Sequence, residues 1–127
     1  MHTRIITGLM LIVAVCHLLP VSGVFGVESL VLLYQVDITD NNLEILMRHR
    51  AVLFGILGGV FAYSAFRPTL QPIAFLAAFV SLASFFFLVF SVGDFNDAIG
   101  KVAMGDVIAS VALLGAITLY AVKPVAK

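Results

Sequence analysis

Apolar positions in this chain are gathered into long runs instead of alternating along short elements. Ile5 to Val24, Ile73 to Val92 and Val102 to Val122 are each close to the ~20 residues with which an α-helix crosses ~30 Å of hydrocarbon. A fourth run, Ala51 to Phe66, is short by itself. Extended back through Leu43, Ile45, Leu46 and Met47 it reaches full length, and Arg48, His49 and Arg50 then fall in or near the outer interface. The pattern predicts helices over about residues 4–24, 42–66, 72–92 and 101–122. The expected fold is all-α: an integral membrane four-helix bundle forming a single transmembrane domain over residues 1–127.

The polar punctuation between the runs sets their connections. Val27 to Tyr34 is too apolar for a solvated loop and too short to span, which predicts an interfacial segment on the outer surface between the first two spanning helices. Asp37 to Asn42 is a cluster of turn and capping residues, and Asn41 followed by Glu44 approximates a capping box that starts the second helix. Glu44 and Arg48 then form an i,i+4 pair in the favourable order. Pro68 and Pro72 bracket a tight link, the first ending a helix and the second fitting the first turn of the next. Gly93 to Lys101 is similarly short, so consecutive helices should be antiparallel neighbours.

Charge gives the expected orientation. One side of the membrane holds Arg4, Arg67, Lys123 and Lys127 and no acid. The other holds Glu28, Asp37, Asp40, Glu44, Asp94 and Asp97 together with Arg48, Arg50 and Lys101. Short loops rich in Lys and Arg stay on the cytoplasmic side, so both termini are expected in the cytoplasm of a multi-pass protein of the bacterial inner membrane. Composition agrees, since 62% hydrophobic and 11% charged residues do not describe a soluble domain, which is roughly a quarter charged. The mean hydropathy is +1.17. Arg4, the apolar core to Leu19 and Val21-Ser22-Gly23 imitate a secretory signal peptide, but apolar character continues to Val27 without an Ala-x-Ala site, so an uncleaved first helix is expected. The single cysteine, Cys16, excludes an intrachain disulfide and paired-thiol chemistry.

Small residues mark the packing faces, because helices in lipid attract one another by close approach. The second helix offers Ala51, Gly55, Gly58, Gly59 and Ala62, the third Ala74, Ala77, Ala78 and Ser81, and the fourth Gly105, Ala109, Ala112 and Ala116. These predict packing within one bundle or between two copies, with Phe54, Leu57 and Phe61 turned to lipid. Polar residues inside the runs are the candidate site. His17 lies about seven residues, roughly 10 Å, from the outer end of the first helix. Arg48 and Arg50 lie in the first turns of the second, and Asp106 in the outer third of the last. An unpaired aspartate at mid-membrane costs ~3 kcal/mol, so Asp106 should be paired, protonated or hydrated. Arg48 shares the small-residue face and is the expected partner, while Arg50, above Phe54 and Leu57, is expected to snorkel. Glu44, His49, Asp94 and Asp97 are secondary candidates.

This set supports a non-enzymatic accessory subunit or homo-oligomer whose outer polar cluster meets a partner, a lipid headgroup or a small ligand. The alternatives are a small-molecule or proton-linked carrier titrating at Asp106, and a membrane cytochrome whose haem iron is held by His17 and His49 with arginines at the propionates. No metal-ligand spacing joins the histidines and acids, and no basic patch on a soluble face suits nucleic acid.

The stretch Leu33-Tyr34-Gln35-Val36-Asp37, with Asn42 through Gly55 and the apolar helices after it, resembles small bacterial four-helix membrane proteins of the DoxX-like and DUF4345-like group. In that group an outer loop with a Tyr-x-Val element precedes an arginine and a glycine-containing second helix. The resemblance covers most of the chain in layout and brings no catalytic residues with it. Some chains of this kind carry the label phosphopantetheine adenylyltransferase, yet this one has no nucleotide-binding βαβ unit and no His-x-Gly-His motif. Small multidrug transporters share the length and helix count, but the essential glutamate of their first helix has no counterpart here.

Overall fold

The structure, a computed structural model, describes residues 1–122, all of whose regular elements are helical. Lys123 and Lys127, which enter the charge argument, lie outside the described residues. Helix α1 spans His2–Leu18 and continues as a 3-10 helix over Leu19–Phe25. Pro20 explains the change of winding, since it lacks an N–H and its ring crowds the carbonyl one turn back. Gly26, at φ 132°, then turns the chain through backbone space that other residues rarely enter. Helix α2 spans Val27–Tyr34, α3 Asn41–Ala65, α4 Gln71–Val92 and α5 Asp97–Ala121. The spans 2–25, 41–65, 68–92 and 97–121 are each long and apolar enough to cross a membrane, with mean hydropathies of 2.3, 1.5, 2.6 and 2.0.

Capping decides where α3 and α5 begin. Asp40, not Asn41, caps α3: its carboxylate accepts from the Asn42 N–H at 2.6 Å, and Glu44 turns outward instead of closing a capping box. Helix α5 starts four residues before the expected Lys101, because Asn96 Oδ1 accepts from the Ile99 N–H at 2.9 Å and so satisfies an orphan donor of the first turn. Pro72 sits in the first turn of α4 as the spacing predicts.

The short links do make α3 and α4, and α4 and α5, neighbours, but the tightest packing belongs to α1, which lies against both α3 and α5. Gly58 permits this approach. A Cβ there would stand 2.7 Å from Leu18 Cγ and 3.2 Å from the Ala14 carbonyl oxygen, so only glycine fits without displacement. Gly59, its companion in the small-residue row, has nothing within 4 Å of the same position. The core joins Ile6, Met10, Val13 and Ala14 to Phe61, Phe75, Leu82, Leu113 and a row of alanines on α4 and α5. Phe61, expected at the lipid, is fully buried. The alanines facing it leave volume that a large side chain must fill, since interiors pack without voids. Ile56, Val60, Phe79, Val80, Phe87, Leu88, Val111 and Leu114 remain exposed. So continuous an apolar exterior suits hydrocarbon, not water.

At one end of the bundle α2 folds back on the helices. Leu30, Tyr34 and Ile38 form a second small core with Met47, Ile99 and Val102. Asn96 fastens it, donating from Nδ2 to the carbonyls of Tyr34 at 2.8 Å and Gln35 at 3.1 Å. At the opposite end the Thr7 hydroxyl lies 2.8 Å from the Ala65 carbonyl, which the end of α3 leaves without a helical partner.

Candidate functional site

A cavity of about 340 Å³ lies between the second core and the main core. Every helix contributes to it: Cys16, Leu19 and Pro20 from the α1 segment, Leu32, Leu33 and Tyr34 from α2, Arg50 and Phe54 from α3, Phe85 from α4, and Val102, Gly105 and Asp106 from α5, with Lys101 at its edge. Leu19, Leu32 and Lys101 are largely exposed, which puts them at the open side. Most of the lining is apolar, and three charged groups interrupt it.

Arg50 is the central one. Its guanidinium carbon is 5.3 Å from the centre of the Tyr34 ring and 5.0 Å from that of Phe54. Both faces attract a cation by their quadrupoles, which orders a side chain that would otherwise sample many rotamers. Among the described residues no carboxylate forms an ion pair with it. Asp106 occupies the α5 side of the same cavity, half-buried and, among the described residues, likewise without an ion-pair partner. Burial pushes the Tyr34 hydroxyl above its ordinary pKa, and the Arg50 charge beside it pulls the other way.

The expected pairing of Arg48 with Asp106 is not formed. Arg48 Nη1 instead bonds Glu44 Oε1 at 3.0 Å, and its Nε donates to the Val24 carbonyl at 3.1 Å, tying α3 to the end of the 3-10 segment. The roles of the two arginines are thus exchanged relative to the reading of the helix face: Arg48 lies on the exposed side and Arg50 in the cavity. Burial of Phe61 is the physical cause, because it rotates α3 so that the Arg50, Phe54 and Phe61 side turns inward.

His17 belongs to the layer beneath. It is 2% exposed. Its Nδ1 lies 2.9 Å from the Val13 carbonyl and its Nε2 3.1 Å from Ser81 Oγ. A carbonyl can only accept, which assigns the proton to Nδ1 and makes Nε2 the acceptor of the serine hydroxyl in the neutral ring. Phe61 meets the imidazole edge-on at 4.8 Å and Phe54 lies 5.9 Å away, so Phe54 separates His17 from the cavity. Both nitrogens of His17 are thus engaged within the bundle, and His49 is on the exposed side of α3. Among the described residues no group of three or more His, Cys, Asp and Glu side chains is placed to hold a metal ion. Asp94 and Asp97 are exposed beside the start of α5, away from the cavity lining.

Tyr34, Lys101, Cys16 and Asn96 were not among the site residues expected from the sequence. The Tyr-x-Val element marked Tyr34 only as a resemblance, and nothing local foretold that α2 would press it against Arg50. Comparison of the chain with protein-family models, with curated proteins and with solved structures finds no match in any of the three.

Proposed function

We propose that this chain is a non-enzymatic component of a bacterial inner membrane, crossing it four times with both termini in the cytoplasm, and that the cavity at its outer end binds a small amphipathic ligand. The cavity itself carries the reading: about 340 Å³ of mostly apolar space, at the lower end of the roughly 300–1,000 Å³ of ligand sites, with a few convergent polar groups. Charge supports the orientation. Arg4 and Arg67 flank one end of the spans, and the acidic links lie at the other. Helix α2 suits the outer interface, with Leu30 and Tyr34 turned to the bundle and Leu32 outward. The layout resemblance to the DoxX-like and DUF4345-like group agrees with such a protein.

Cys16 is the chain's single cysteine and lines the cavity, so it serves as a native reporter. In lipid nanodiscs a small uncharged thiol reagent should modify it, and a single-chain amphiphile should slow that modification. Unchanged rates with every amphiphile tried would remove the binding reading. A proton-linked carrier is the second reading, favoured by the cavity carboxylate of Asp106, which has no ion-pair partner among the described residues. For that reading ligand flux into proteoliposomes should follow an imposed pH gradient and lose that dependence in Asp106→Asn. An accessory subunit or homo-oligomer would show itself in the mass of the detergent-solubilised particle.

A further inference from the structure

We infer that the occupant of the cavity is a single-chain amphiphile with one negative charge at its head, a fatty-acid type carboxylate, held by Arg50 and Lys101. The inference rests on the binding reading above and adds the ligand's charge and shape. Its first support is formal charge: Arg50 and Lys101 bring two positive charges to the cavity and Asp106 one negative, so a monoanion brings the sum to zero. Arg50 and Asp106 are partly withdrawn from water, which strengthens their share of that balance, while exposed Lys101 adds a solvent-screened attraction at the open side. Its second support is geometry. Arg50 is flanked by the Tyr34 and Phe54 rings, and among the described residues no carboxylate, Asp106 included, is within ion-pair distance of it, which leaves the planar fork suited to a carboxylate from outside the protein. Apart from Gln35 and the Tyr34 hydroxyl, the remaining lining is mostly apolar, and Leu19 and Leu32 stand at the open side. The few polar groups can meet a polar head, while the larger apolar share of the lining rewards an acyl chain that leaves water. A volume of about 340 Å³ accommodates one short chain and not a two-chain phospholipid.

The test uses the intact chain in phosphatidylcholine nanodiscs, with modification of Cys16 by methyl methanethiosulfonate followed by intact mass and bound decanoate counted by native mass spectrometry. Decanoate should slow the modification on the order of tenfold or more at concentrations where decanol and decylamine do not, and one decanoate should be bound per chain. Arg50→Gln should weaken decanoate on the order of tenfold or more, and Arg50→Lys, which keeps the charge, should recover part of the loss. Equal protection by all three chains would leave a binding cavity and overturn the anionic head. No protection and no bound decanoate would overturn the binding reading as well. Nanodiscs containing phosphatidylglycerol separate the sources of anionic chemistry: protection there without decanoate would assign the cavity to a bilayer lipid and overturn the single-chain occupant.

Discussion

His17 shows how a polar side chain earns a place in an apolar bundle. Each ring nitrogen has a partner, one on its own helix and one on α4, and the ring packs on Phe61. His17→Ala would leave a cavity and an unanswered Ser81 hydroxyl, and should cost about 2–4 kcal/mol in reversible unfolding of the detergent-solubilised protein. Arg48→Ala should cost about 0.5 kcal/mol or less by the same measurement, since its ion pair with Glu44 is 47% exposed on the arginine side and solvent screens it. Tyr34 adds a pH dependence. Because burial raises its folded-state pKa above the ordinary 10.0, the unfolded chain loses its proton first as pH rises. Stability should therefore hold below about pH 10 and fall above it, and Tyr34→Phe should flatten that slope.

Among the elements, the spans were legible because a hydrophobic run of sufficient length is a local signal, and α4 was bounded correctly by Pro72 and Gly93. The rotation of each helix was not. Residues 48 and 50 differ by about 200° around α3, so choosing which arginine enters the bundle requires knowing which face is buried, and that follows from partners distant in sequence. Gly55, Gly58 and Gly59 read alike as packing residues, yet the closest approach among them falls on Gly58. Gly58→Ala should therefore destabilise α1 against α3, whereas Gly59→Ala should be neutral or stabilising by about 0.5–1 kcal/mol through helix propensity. Thermal melts of the two variants side by side give opposite signs on this account. Asn96 makes the same point for a link: it caps α5 and holds the end of α2 with one side chain. Asn96→Ala should cost about 1–2 kcal/mol and speed amide exchange through Val27–Tyr34.

For the molecule as a whole, class was legible because composition is global, while the cavity was not, since it exists only where five helices meet. Orientation belongs to this scale too: reporter fusions after residue 127 and in the 67–71 link should both read cytoplasmic, and one in the 94–96 link periplasmic. The central position of α1 bears on how the chain is made. Helix α1 is synthesised before α3 and α5, both of which pack against it, so on the proposed membrane reading it would enter the bilayer before either partner exists. The sequence-adjacent pairs α3·α4 and α4·α5 are the looser ones, and a helical hairpin arriving alone has little to hold it. Assembly would then be a capture process in which α1 meets α3 first and its second flanking partner only with α5. A nascent chain arrested after α4 would present α1 with one flank bare, a form that membrane quality control can distinguish from the finished protein.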